Sequence, residues 1–177
     1  EYFSEDPYLS GKMAASYVRG IQSNGISACP KHFACNNKET NRKDCDSRLS
    51  ERALREIYLK GFELCVKKAQ PLTVMSSYNL VNGLWASQNR ELLTDILRGE
   101  WGFKGMIMTD WTTTEYGPDC TASGCMRAGN DLVMPGAFSD RDNLNQELAD
   151  GTLSMEDLKA CISRLVNITW QSMEFED

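Results

Sequence analysis

Four short apolar runs, each followed by residues of helical periodicity, constrain the fold of this chain more than any other feature. The runs are residues 26–33, 71–77, 105–110 and 131–134. Each has the length of a buried strand and is bounded by Gly, Pro or polar residues. Apolar positions elsewhere recur at helical spacing. Met13, Ala14, Tyr17, Val18 and Ile21 mark a helix over 10–23. Ala53, Leu54, Ile57, Tyr58, Phe62 and Val66 mark a second, behind Ser50 as cap, and Leu92, Leu93, Ile96 and Leu97 a third over 89–101. Further helices are expected over 125–129, 144–148 and 155–170, the last capped by Ser154. Asn82-Gly83 marks a turn, and the polar stretch 34–49 is a long loop of the kind that carries function.

The order is therefore one helix and then four strand–helix units. Such repetition argues an α/β fold with a parallel sheet and outer helices. Two closures fit, an open doubly wound sheet or a segment of a (β/α)8 barrel. No G-x-G-x-x-G follows any strand, which weakens a dinucleotide site. A full barrel needs about 250 residues, so the expectation on that closure is about half of a TIM-type barrel. It would have about four parallel strands, with residues 1–177 forming part of one domain.

The bulk numbers exclude several function classes. Lys plus Arg is 19, Asp plus Glu is 25, and the basic residues are spread out, so no nucleic-acid stripe is present. No apolar run approaches the roughly 20 residues that span a bilayer. Seven cysteines stand at 29, 35, 45, 65, 120, 125 and 161, with no C-x-x-C pair and a single His, so no metal site or other cofactor is expected. Free thiols in a reducing, cytoplasmic setting are the plain reading. The sequon Asn167-Ile168-Thr169 lies inside a helical pattern and carries little weight. Glu1 to Pro7 has neither an initiator Met nor the basic region of a signal peptide, so the chain reads as starting within something larger.

The chemistry sits at the strand ends. The third run closes on Asp110-Trp111, the first on Lys31-His32, and Tyr78 follows the second. In parallel α/β folds the carboxyl ends of strands are where sites collect. Lys31, His32 and Arg42 suit hydrogen bonding to sugar hydroxyls, Trp111 suits the apolar face of a pyranose, and Asp110 suits attack on an anomeric carbon. Each residue also has a plainer reading. Asp110 is a loop carboxylate, His32 a satisfied core residue, Arg42 a loop cation paired with Glu39 or Asp44, and Trp111 and Met75 are core. Lys31 at a strand end also fits a Schiff-base aldolase. Glu115 is the one carboxylate in the loop after Asp110, and a solvated role is expected for it.

Taken together, the motifs resemble glycoside hydrolase family 3, in its β-glucosidase-like branch. Lys31-His32-Phe33-Ala34-Cys35-Asn36-Asn37-Lys38-Glu39-Thr40-Asn41-Arg42 is similar to a signature of that family. Ser50-Glu51-Arg52-Ala53-Leu54-Arg55-Glu56, Met75-Ser76-Ser77-Tyr78-Asn79, Thr109-Asp110-Trp111 and Met134-Pro135-Gly136 follow in the same order. The opening Tyr2-Phe3-Ser4-Glu5-Asp6-Pro7-Tyr8 is also similar.

The resemblance implies a retaining β-glycosidase acting on terminal β-D-glucosyl residues of a β-glycoside or oligosaccharide. Asp110 would be the nucleophile, Lys31, His32, Arg42 and Tyr78 would bind the sugar hydroxyls, and Met75 and Trp111 would line that subsite. In this branch the acid/base is a Glu on a separate domain. Another branch uses a His in a loop after the Lys-His-Phe motif, but Ala34-Cys35-Asn36 stands there instead, so no residue of this chain is assigned as acid/base. On the same resemblance the chain is the C-terminal half of the (β/α)8 barrel, and the implied partners are the first barrel half and the acid/base domain, or a second copy of the chain. The alternative to an enzyme is a non-catalytic half-barrel.

Overall fold

The computed structural model describes residues 2–116 and 119–173. Helix α1, Pro7–Gln22, begins where the Asp6 carboxylate accepts the amides of Tyr8 (2.8 Å) and Leu9 (3.3 Å), with Pro7 in the first turn, where an amide would have no partner. Its buried residues are Gly11, Ala15 and Val18, whereas Met13 and Tyr17 are exposed. The inward stripe is therefore made of smaller residues than the spacing alone indicated. Strand β1, Asp46–Ser47, lies within the expected loop. Ser50 caps α2, Glu51–Ala53, by accepting the Ala53 amide at 3.2 Å. The chain then passes through a wide π-type turn at Leu54–Tyr58 into α3, Lys60–Ala69. Helix α1 packs closely on α3, and a Cβ on Gly11 would stand 2.9 Å from the Gly61 carbonyl oxygen.

Strand β2 is Thr73–Met75. Strands β3, Leu80–Val81, and β4, Leu84–Trp85, form a hairpin around Asn82 and Gly83, whose φ values of 51° and 89° fit a type I′ turn. Strand β1 pairs in parallel with β3, which makes a small three-stranded sheet beside the main one. Residues Glu91–Glu100 form a helix of wide turns, and β5 is Met106–Met108. Four helices follow: α4, Thr113–Tyr116; α5, Ala122–Ala128; α6, Phe138–Asp150; and α7, Met155–Met173. Helix α6 starts well before the expected 144–148 because the Asp140 carboxylate accepts the Ala137 amide at 2.8 Å. Ser154 accepts the Asp157 amide at the start of α7 (3.0 Å) and donates to the Asp157 carboxylate (2.7 Å), as expected of a cap.

Strands β2 and β5 pair in parallel, with Thr73, Val74 and Met75 opposite Met106, Ile107 and Met108. Residues 28–33 run along the free edge of β2, but only Phe33 enters the ladder, opposite Ser76. Residues 131–134 flank β5, and there only Leu132 does, opposite Met108. Four parallel strands are thus corrected to two strands with an extended segment on each side, in the expected order. Pro30 has no amide for a ladder and Pro135 stops the last segment. The arc is still tied throughout: Phe33 donates to the Met75 carbonyl (2.8 Å), Ser76 to that of Met108 (2.9 Å) and Thr109 to that of Leu132 (2.9 Å).

Helices cover one face of this arc. Val74 and Ile107 are fully buried in one cluster with Leu92, Leu93, Ile96 and Leu97. The Phe33 ring meets Phe62 and Trp101 edge-on, at 5.1 and 5.9 Å between centroids. Side chains alternate along a strand, so Ile107 in the core turns Met106, Met108 and, just past the strand, Asp110 to the opposite face.

Candidate active site

Asp110 lies two residues beyond β5 and is 8% exposed. Both oxygens of its carboxylate have neighbours. Oδ1 accepts the amide of Trp111 at 2.7 Å, and Oδ2 lies 3.3 Å from Nε2 of His32, which is 7% exposed. The Asp110 carbonyl is held as well, by the Thr113 hydroxyl at 2.8 Å. The carboxylate is therefore fixed in position and orientation while remaining on the face away from the helices.

Tyr78 joins the same cluster from the end of β2. Its hydroxyl donates to the Trp111 carbonyl at 2.7 Å. The Arg42 guanidinium stacks 5.0 Å from the Tyr78 ring centroid, and the Lys43 ammonium lies 5.5 Å from it. Arg42 also pairs with Glu39 at 3.0 Å, which bears out the plain reading of that contact, while the Tyr78 on which it stacks is the residue that binds the Trp111 carbonyl. The same Glu39 accepts from the Asn36 amide at 3.1 Å. Trp111 is 59% exposed, so it is not core. Its ring is available to a ligand.

The remaining expected residues are placed differently. Met75 is half-buried at the end of β2, opposite Met108. Lys31 is exposed and lines a cavity of about 920 Å³ shared with Tyr2, Phe3, Tyr17, Cys35 and Phe62. Neither His32 nor Asp110 lines that cavity. Two fixed polar partners converge on Asp110 instead, an arrangement that cavity size does not supply. A Schiff-base lysine is activated by desolvation or a neighbouring cation, and an exposed Lys31 does not match the first of these. Glu115 is exposed, as expected of a solvated charge. Cys35 lies three residues past His32, but burial pushes its thiol up to about 12, so it is not a nucleophile at neutral pH. Among the described residues, no three His, Cys, Asp or Glu side chains form a group able to hold a metal.

Sequence reasoning missed the threonines that frame Asp110. Thr109 accepts the Met134 amide through its hydroxyl at 2.9 Å, and Thr112 donates its amide to the Met134 carbonyl at 2.8 Å. The run of hydroxyls after Asp110-Trp111 was the available signal. Their partners lie on the neighbouring segment, which local pattern does not reveal.

Residues 1–168 match the description Glycosyl hydrolase family 3 N terminal domain. Similar proteins include Exo-alpha-(1->6)-L-arabinopyranosidase from Bifidobacterium longum, 46% identical over 95% of this chain and 21% of that protein. Beta-glucosidase A from Butyrivibrio fibrisolvens is 53% identical over 80% of this chain and 16% of its own length. The solved structure of beta-glucosidase 3B from Thermotoga neapolitana in complex with alpha-D-glucose superposes with a TM-score of 0.91 at 46% identity, covering 97% of this chain and 24% of that one. The chain spans about a fifth of the length of the first of these relatives. The shared fold is a TIM-barrel-like α/β fold, and the chain belongs to glycosyl hydrolase family 3, matching its N-terminal domain.

Proposed function

We propose that this chain is the nucleophile-bearing part of a retaining β-glucosidase-like enzyme, built as the C-terminal half of a (β/α)8 barrel. The observation that carries this reading is the Asp110 carboxylate, buried at a strand end and flanked by the Trp111 amide and His32 at 2.7 and 3.3 Å. Such a carboxylate loses little freedom when it attacks, which is what a positioned nucleophile contributes. One Asp110 oxygen bonds to the anomeric carbon of a terminal β-D-glucosyl residue as the bond to the leaving oxygen breaks. The Trp111 amide then faces the ester that forms. Trp111 covers the sugar's apolar face, and His32, Arg42, Lys31 and Tyr78 hold its hydroxyls, with Met75 at the edge of the subsite.

Retention needs a second carboxyl about 5–5.5 Å from the first, to protonate the leaving oxygen and then activate water. No residue of this chain takes that role in our reading. The greater length of the relatives supports its coming from the rest of the whole protein. The same holds for the first barrel half, which would pair with the free edge of residues 28–33. Without it, the exposed edges favour self-association. The β-glucosidases among the relatives favour a glucoside, and the arabinopyranosidase supports a pentopyranoside as the second reading.

The test is intact mass after incubation of the protein with a dinitrophenyl 2-deoxy-2-fluoro-β-glucoside, whose leaving group needs no acid. A glycosyl mass gain mapped to Asp110 is expected. Label on another residue, or turnover of aryl glucosides unchanged by Asp110→Asn, overturns the reading. Parallel rates on 4-nitrophenyl β-D-glucoside and α-L-arabinopyranoside decide between the two sugars.

A further inference from the structure

The residue after Trp111 is in a conformation its side chain disfavours. Thr112 has φ 61°, inside the left-handed region. Of the five non-glycine residues at positive φ among the described residues, Thr112 alone is β-branched. A branched Cβ crowds the backbone there, so such a residue is a steric outlier that persists only where its surroundings over-determine it. Glycine would occupy the position without that strain.

What threonine supplies and glycine lacks is a hydroxyl, and here the hydroxyl has a defined partner. Thr112 Oγ1 donates to the Trp111 carbonyl at 2.5 Å, the same oxygen that accepts from Tyr78 at 2.7 Å. Both lone pairs of that carbonyl are thereby engaged. At the other side of the same residue, the Trp111 amide donates to Asp110 Oδ1 at 2.7 Å. The Thr112 amide donates to the Met134 carbonyl at 2.8 Å, which anchors the turn to the neighbouring segment. A chain of contacts thus runs from Met134 through Thr112 to the backbone that orients the carboxylate.

We infer that Thr112 is a positioning residue for the glycosylation step: its hydroxyl fixes the Trp111 backbone, and through it the orientation of Asp110 and the Trp111 ring. This rests on Asp110 being the nucleophile. It goes beyond that reading in assigning a residue that acts on Asp110 through the Trp111 backbone. The local strain is the cost of placing a hydroxyl where a glycine would fold more easily.

The experiment uses the full-length protein and time-dependent inactivation by the dinitrophenyl 2-deoxy-2-fluoro-β-glucoside, which separates binding (Ki) from bond formation (ki). Thr112→Gly and Thr112→Val both remove the hydroxyl, one relieving the strain and the other keeping the branched shape. Both are expected to lower ki about tenfold, of the order that losing one orienting hydrogen bond produces, with Ki changed less than about twofold. Thr112→Ser, which restores the hydroxyl, recovers most of the rate. Thr112→Gly keeps or raises the melting temperature, which separates positioning from stability. Wild-type protein labelled on Asp110, with Gly and Val variants labelled equally fast, overturns the role of Thr112 and leaves the nucleophile standing. Loss of rate in Thr112→Ser as large as in Thr112→Val also overturns it, because the restored hydroxyl would then recover nothing. A wild-type protein labelled elsewhere than Asp110 overturns both.

Discussion

Replacing Asp131 with Ala tests whether the base of β5 is held by the buried charge cluster beneath it. The Asp131 side chain is fully buried. Its Oδ2 accepts from Arg98 at 2.6 Å and from the Ile107 amide at 2.8 Å, and its Oδ1 accepts from Arg164 at 2.7 Å. The side chain of Arg98 is 13% exposed and that of Arg164 26%. Burial already weakens the hold of Arg98 on its proton, so Arg98 depends on this partner. Breaking a buried pair from one side costs about 3–5 kcal/mol. The orphaned Ile107 amide alone would cost about 1–3 kcal/mol. These contacts belong to one network and do not add, and Arg98 keeps the carbonyls of Gly105 and Gly129 as acceptors. The working figure is therefore about 4 kcal/mol, near the middle of the buried-pair range. Hydrogen exchange at the Ile107 amide should quicken by about a thousandfold, since every 1.4 kcal/mol is tenfold. Asp131→Asn keeps an acceptor for that amide and should show only about half of the loss in free energy. Exchange quickened by less than about fivefold in Asp131→Ala would refute the reasoning, because the cluster would then be a bystander to a strand held by packing.

Three further perturbations follow from the same geometry. His32→Ala removes the neighbour of Asp110 Oδ2 at 3.3 Å, and should slow glycosyl trapping by about tenfold or more if orientation is what the imidazole supplies; the rate of intact-mass gain checks it. Gly105→Ala sets a Cβ 2.3 Å from the Leu72 carbonyl, a backbone atom that cannot step aside. A loss of about 3 kcal/mol in chemical denaturation is expected, at the upper end of ordinary overpacking. Burial pushes the thiols of Cys35 and Cys161 up to about 12 and that of Cys65 up to about 11. Raised values mean thiol and not thiolate at pH 8, and only the thiolate alkylates. Iodoacetamide on native protein should therefore spare these three while marking the half-buried Cys45, with labelling rising as pH climbs toward their range; peptide mass mapping reads it.

The helices and the order of the arc were legible because their signal is local. Leu92, Leu93, Ile96 and Leu97 declare a buried face by spacing alone, and all four are fully buried or nearly so. The carboxylate after the apolar run Met106–Met108 was legible for the same reason, since a buried strand ending in Asp needs a polar destination. Illegibility began where a partner lies far along the chain. Residues 26–33 have the composition of a strand, but a ladder depends on amides and neighbours, and Pro30 removes one amide. The small sheet of Asp46–Ser47, Leu80–Val81 and Leu84–Trp85 escaped because two residues cannot display an alternation, although Asn82-Gly83 named its turn.

The site shows the same division, and it bears on how its residues should be sought. Asp110, His32, Tyr78 and Arg42 are chemically distinctive types, so motif and composition single them out as candidates. Thr112 is not distinctive, and helix or strand propensity argues against a β-branched residue at its backbone angle. Its place became visible only when φ 61° and the shared Trp111 carbonyl were seen together. Residues of reactive type announce themselves in the sequence. Those that orient them are found from a conflict between side chain and backbone, because a conflict that a glycine would relieve persists where the side chain has work that glycine cannot do.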